Sequence, residues 1–177
     1  MPQPLCLECI RCGHEYPLTA LDRNCGACAA DEIASNLTPR YPESGPPDRD
    51  SLPDKPGSLW RYADFLPLDA ADAVTLGEGM TPMVTVEGFG HGAIGVKDES
   101  RNPTWSFKDR LATVAVSWAR KIGAPAIATS STGNAGAAAA AYAARAGLPC
   151  VVLTYKGGAG AIVSQMRSYG AMVLTVP

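Results

Sequence analysis

The sequence predicts an α/β protein, a parallel sheet flanked by helices, preceded by a small metal-binding ribbon. Three observations predict it. From residue 106 onward, short apolar runs alternate with helix-length segments, the pattern of strands joined by crossover helices. Five of the six cysteines fall in the first 28 residues, in C-x-x-C units. Hydrophobic residues make up 46% and charged residues 18%, a balance that buries a core rather than leaving a disordered chain.

The elements follow in order. Cys9-x-x-Cys12 and Cys25-x-x-Cys28 enclose 12 residues, close to zinc-ribbon spacing, and Gly13 and Gly26 give the permissive backbone of tight knuckles. In a reducing compartment this clustering reads as a metal site rather than disulfides. Two residues also separate Cys6 from Cys9, so a Cys6/Cys9 register competes with Cys9/Cys12. Residues 1–35 form the ribbon, with zinc in a structural role. His14 reads as a surface residue, His91 as part of a glycine-rich turn, and Cys150 as a small buried hydrophobe. Residues 36–57 are polar and proline-rich and read as an extended linker.

Residues 58–177 carry the α/β domain. The segment 58–62 reads as a short helix or arm, and 84–86 and 94–96 as short strands. Helices are expected at 106–122, 134–146 and 160–169, with strands at 126–129, 150–154 and 172–176. Ser106 reads as the first helix's N-cap, with Asp109 completing a capping box. On that helix Phe107, Leu111, Val114, Ala115, Trp118 and Ile122 share one arc, the apolar stripe, and Asp109, Arg110, Thr113, Ser117, Arg120 and Lys121 the opposite one. Lys108 falls between the stripe and Ala112 and Ala119, so it either snorkels to water or points into a cleft. Ser130-Ser131-Thr132-Gly133-Asn134 ends a strand and opens a helix, which suits either an anion site or an ordinary capped turn.

Several classes are excluded or disfavoured. A net charge of −2 and a pI of about 5.6 give no electrostatic footprint for nucleic acid. No apolar run approaches the ~20 residues that span a bilayer, and no secretory signal opens the chain, so cytoplasmic residence is expected. The chain ends directly after a strand, so the sheet reads as unfinished.

Asn102-Pro103-Thr104-Trp105-Ser106-Phe107-Lys108-Asp109-Arg110 resembles the N-P-T-G-S-F-K-D-R block of threonine synthases. Leu76-Gly77-Glu78-Gly79-Met80-Thr81-Pro82 resembles the family's L-G-E-G-x-T-P-L, and Lys97-Asp98-Glu99 a third block. Ser131 to Asn134 resembles the S-x-G-N loop of the same fold, and Cys12-Gly13-His14-Glu15-Tyr16 the C-G-x-x-Y ribbon in front of many members. The last likeness selects Cys9, Cys12, Cys25 and Cys28 as the metal set.

The resemblance implies pyridoxal-phosphate fold type II, with only the front half of a typical member matched. It implies that Lys108 holds pyridoxal phosphate as a Schiff base, that Asn134 contacts the cofactor's 3′-oxygen, and that Ser131, Thr132 and Gly133 bind the substrate carboxylate. The implied activity is a lyase converting O-phosphohomoserine to threonine, with an amino-acid substrate and no nucleic-acid or membrane partner. The glycine-rich phosphate loop and the partner of the pyridine nitrogen belong to the family's second half. A homo-oligomer or a second chain would supply that remainder, and the chain alone is expected to turn over poorly. Trp105 replaces a family glycine, and Ala135 stands where threonine synthases often have threonine, so the substrate stays open. Threonine dehydratases and diaminopropionate ammonia-lyases share the lysine and asparagine loop. A catalytically silent zinc-ribbon binding fragment is the reading from another class.

Overall fold

Strand periodicity at the front of the chain and helix periodicity behind it give two compact units in the computed structural model. One comprises residues 1–55 with 62–69, the other 56–61 with 70–177. The structure describes residues 4–21, 23–42, 49–52, 54–88, 90, 92–157 and 159–177. His91 of the glycine-rich turn, residues 43–48 and 53 of the stretch read as a linker, and Gly158 lie outside these residues.

The first unit is built on a three-stranded antiparallel sheet of order β2-β1-β3, from β1 (Cys6–Cys9), β2 (Glu15–Tyr16) and β3 (Leu37–Arg40). Alternation along β1 turns Leu7 and Cys9 inward, both nearly inaccessible. β3 falls in the proline-rich stretch. Its Pro39 is tolerated because β3 is an edge strand, where a missing N–H costs nothing. A short helix, α1 (Gly26–Ala29), carries the second cysteine pair. Cys9, Cys25 and Cys28 are the buried cluster here, with Tyr16, Ile33 and Leu37 against them. That is a very small hydrophobic core.

The second unit opens with an antiparallel hairpin, β4 (Met83–Val86) with β5 (Ile94–Lys97). Then α2 (Lys108–Lys121), β6 (Ile127–Ser130), α3 (Asn134–Ala146), β7 (Cys150–Tyr155), α4 (Gly160–Ser168) and β8 (Met172–Val176) follow. β6, β7 and β8 form a parallel sheet in that order. The 3.6-residue and 2-residue periods in the sequence thus mark the elements within a residue or two. α3 is sandwiched, which explains its alanines. Ala137, Ala140 and Ala143 meet Val152 and Met166 on one side, while Ala138, Ala141 and Tyr142 meet Val74, Ala112 and Val116 on the other. At Gly136 a Cβ would stand 2.7 Å from Met166 Cε, the flexible end of its side chain, and 3.1 Å from Ser131 Cβ and Val152 Cγ1, so glycine lets α3 approach without displacing them. No helix among the described residues is long and apolar enough to cross a membrane.

α2 corrects the expectation from its helical wheel. Phe107, Leu111 and Ile122 of the apolar stripe are 57%, 64% and 48% exposed, while Asp109, Thr113 and Ser117 of the polar arc are buried. The reason is hydrogen bonding. Thr113 Oγ1 accepts from Trp60 Nε1 (2.8 Å) and donates to Val74 O (2.7 Å). Ser117 Oγ accepts from Val74 N (2.7 Å) and donates to Thr113 O (2.6 Å). Every polar group on that face is matched, so its burial costs little, and short side chains admit α3 beside it. The capping box is also displaced. Phe107 holds the N-cap position, Ser106 Oγ accepts from Lys108 N, and the Asp109 carboxylate reaches back to Thr104 instead.

Candidate functional site

Lys108 is the first residue of α2 and is half-buried. It lines a cavity of about 190 Å³ with Leu111 and Ala112 of α2, Ala128 and Thr129 of β6, and Ala135 of α3. Its Nζ stands 4.4 Å from the centre of the Phe107 ring. Among the described residues it meets no carboxylate, which leaves the amine without an ion-pair partner.

The residues that follow the lysine are pinned. Asp109 is fully buried and accepts from Thr104 N (3.2 Å) and Thr104 Oγ1 (2.8 Å). Burial pushes its carboxyl above the ordinary range, against the pull of those hydrogen bonds. Arg110 donates to both oxygens of Glu99, Nε to Oε2 and Nη2 to Oε1, each at 2.8 Å. That guanidinium, with the Thr81 and Asn102 donors, holds the Glu99 carboxyl down at about 2. Asn102 in turn accepts from Gly79 N (3.0 Å), and Lys97 donates to Thr81 O (3.0 Å). Glu78, also fully buried, accepts from Thr75, from Leu76 N and from Tyr142 of α3. The three sequence blocks are therefore one hydrogen-bonded frame around the start of α2.

The second predicted group sits where β6 gives way to α3. Ser131 Oγ accepts from Gly133 N (3.2 Å) and Gly136 N (2.9 Å), so this hydroxyl holds the turn's shape. Thr132 and Asn134 are exposed. Ser131 and Thr132 line a cavity of about 280 Å³ at the carboxyl ends of the strands, with Ser130, Thr154 and Tyr155. The Thr154 hydroxyl, 4% exposed, has no partner there. The lysine's cavity reaches α3 at Ala135, one residue past Asn134, and Gly133 and Asn134 line neither cavity.

The cysteines form a third group. The sulfurs of Cys9, Cys12, Cys25 and Cys28 all lie within 4.8 Å of one another, with Cys9–Cys28 at 3.8 Å and Cys12–Cys25 at 3.6 Å. Four thiolates around zinc at the usual 2.3 Å stand about 3.8 Å apart, so the set fits a tetrahedral ion. Cys6 stands on β1 outside this group. The Ser35 hydroxyl, with the N–H groups of Cys12 and Arg11, draws the Cys9 thiol down to about 5, and Tyr16 lowers Cys25. Burial, with the neighbouring sulfurs, pushes Cys28 up to about 12. A divalent cation is the group that relieves four such sulfurs at once. Tyr16 had a sequence signal in the ribbon motif. Ser35 had none, because nothing in the spacing marks a serine seven residues after Cys28.

The chain is similar to known proteins. The chain is 37% identical to a threonine synthase of Methanosarcina acetivorans over 177 residues, which is 96% of this chain and 42% of that protein. It is 45% identical to one of Halalkalibacterium halodurans over 126 residues, covering 68% of this chain and 35% of that protein. Among solved structures it resembles an O-ureido-L-serine-bound mutant of O-ureido-L-serine synthase, at TM-score 0.52 and 32% identity over 56% of this chain and 33% of that one. An O-acetylserine-dependent cystathionine β-synthase from Helicobacter pylori is similar, at TM-score 0.51 and 28% identity over 56% and 35%. The chain spans less than half the length of each of these relatives. A family model described as pyridoxal-phosphate dependent enzyme matches residues 74–177, and the chain belongs to that family.

Proposed function

We propose that this chain contributes the lysine-bearing portion of a threonine synthase-type lyase, acting on O-phosphohomoserine to give threonine. The observation that carries the reading is Lys108, an unpaired amine in a cavity at the start of a helix pinned on its far side by Asp109 and Arg110. Identity to curated threonine synthases over nearly the whole chain supports the substrate class. Pyridoxal phosphate, when bound, supplies the electron sink that makes a substrate carbon acidic. Lys108 Nζ would hold the cofactor, and its amine, when free, would take and return protons at the substrate as general base and acid. Asn134 would contact the cofactor's 3′-oxygen, and Thr132 and the N–H groups about Gly133 would receive the substrate carboxylate. Ser131 serves that site by holding the turn, since its oxygen already accepts two N–H groups. Lys108 and Asn134 then share one cleft in the working enzyme, and cytoplasmic residence suits such biosynthetic chemistry.

The test is optical. The chain incubated with pyridoxal phosphate gains a near-visible band from the lysine's imine, and Lys108→Ala lacks it. A band of equal strength in that variant would remove Lys108 from the role.

We read residues 1–35 as a ribbon holding one structural zinc on Cys9, Cys12, Cys25 and Cys28, 36–57 as the connection, and 58–177 as the catalytic portion. The sulfur spacing supports the metal. Metal analysis of the reduced, folded chain should find one zinc. None, or a disulfide between the two pairs, would end this reading.

A further inference from the structure

We propose that Tyr16 and Ser35 are positioning residues of the cysteine site, each donating its hydroxyl proton to the first thiolate of one C-x-x-C pair. This rests on the reading of the four cysteines as zinc ligands. Four thiolates on a divalent cation leave two negative charges, and Cys9, Cys25 and Cys28 are at most 5% exposed. Charge so placed must be met by donors from the chain, because water reaches it poorly.

The donors come in an ordered set. Cys9 Sγ takes the N–H groups of Arg11 (3.4 Å) and Cys12 (3.5 Å), and Cys25 Sγ takes that of Cys28 (3.4 Å). Those are the backbone contacts of the two knuckles. In addition, Ser35 Oγ lies 3.2 Å from Cys9 Sγ, and Tyr16 Oη lies 3.2 Å from Cys25 Sγ. A metal-bound thiolate carries no proton, so in both contacts the hydroxyl must donate. Tyr16 Oη also accepts from Ala27 N at 3.1 Å, which leaves its single proton free for the sulfur.

Both residues join parts that are distant in sequence. Ser35 accepts from Cys25 N through its carbonyl (2.9 Å) while its hydroxyl serves Cys9, so one residue ties the two pairs together. Tyr16, on β2, fastens the turn of α1 by the Ala27 contact and the Cys25 sulfur by its proton. Cys12 is exposed and can draw its donors from water. Of the three buried sulfurs, Cys9 and Cys25, the first of each pair, are the ones beside a hydroxyl, and Cys28 has Cys9 Sγ as its neighbour at 3.8 Å.

The test uses the whole 177-residue chain loaded with Zn²⁺ or Co²⁺, comparing wild type with Tyr16→Phe, Ser35→Ala and Ser35→Thr. Zinc affinity is read by competition with a chelator, and the Co²⁺ form by its thiolate-to-metal charge-transfer bands. Tyr16→Phe and Ser35→Ala should each keep one metal per chain but bind it about 10-fold or more weakly. Their bands should shift to longer wavelength, because a thiolate that loses a hydrogen bond gives up its electrons more easily. Ser35→Thr should restore most of the affinity. Wild-type affinity and unshifted bands in Tyr16→Phe and Ser35→Ala would overturn the inference while leaving the zinc reading intact. A wild-type chain that binds neither ion would instead remove the zinc reading itself. If Tyr16→Phe does not fold, the two Ser35 variants decide, and equal affinities for alanine and threonine overturn the proposal.

Discussion

Trp105 stands three residues before the lysine with φ of +64°, in the left-handed region, and 69% exposed. A bulky side chain there costs about 1–2 kcal/mol, which accounts for the glycine that threonine synthases carry at this position. Trp105→Gly removes that strain and gives back about 0.5–1 kcal/mol through glycine's freer unfolded chain. The expected net gain lies between about zero and about 1.5 kcal/mol, read as a higher urea midpoint; a lower midpoint would mean the indole is anchored by more than its exposure suggests. Glu99 gives a pH signature at the same scale. Its folded pKa is depressed to about 2 by Arg110, so its contribution is present above the ordinary carboxylate range and is lost as pH falls from about 4.5 toward 2. Asp109, whose pKa is raised, acts in the opposite sense. Comparing acid unfolding of wild type with Glu99→Gln isolates the first effect: the variant's stability should fall less steeply over that window. Lys108 was singled out at this scale by its motif, and the structure sets it in the lining of a cavity. The Glu99–Arg110 pair was not legible, since the two residues stand on different elements, so no helix or strand period relates them and only folding shows them face to face.

Among the elements, α3 was legible to the residue and α2 was legible in extent but not in orientation. The difference lies in what each helix meets. α3 is covered on two sides by its own unit, so small residues all around declare it buried. α2 hides a hydrogen-bonded face of Thr113 and Ser117, which hydrophobicity alone reads as solvent-facing. Two substitutions on opposite faces separate the two orientations. Thr113→Val keeps the shape but strands Trp60 Nε1 and Val74 O, costing about 1–3 kcal/mol. Leu111→Ala should cost less than about 0.5 kcal/mol, since the side chain is 64% exposed. Urea unfolding of both variants reads this directly, and the reverse order would restore the wheel's orientation. Gly136→Ala, which drives a methyl against Met166 and Val152, should cost about 1–3 kcal/mol by the same measurement.

At the scale of the whole chain, the parallel sheet is covered on one face only among the described residues. α3 packs on the side of Val152 and Thr154, while Leu153, Tyr155, Met172, Leu174 and Val176 point the other way and are 42–61% exposed. Parallel sheets are ordinarily buried on both faces, and their strands read as continuous apolar runs, as these do. The fold class was legible because those runs and their helices alternate regularly; what lies over the open face was not, because apolar residues announce burial without naming their partner. The same gap bears on catalysis. A cofactor phosphate dianion needs several N–H donors gathered in one nest, and the resemblance to threonine synthases implies that the nest belongs to the portion this chain does not match. Lys108 alone would hold the cofactor at one end. We therefore expect no steady threonine formation from O-phosphohomoserine by the 177-residue chain. Activity should appear when a polypeptide supplying the unmatched portion of a relative is added. Leu153→Glu with Leu174→Lys, a neighbouring pair on the open face, should block that rescue while costing the isolated chain only about 1 kcal/mol or less per site, since both side chains are already more than 40% exposed. Turnover by the unaided chain would show the catalytic set to be present within these residues, and rescue undiminished by the charged pair would show that the covering layer seats elsewhere.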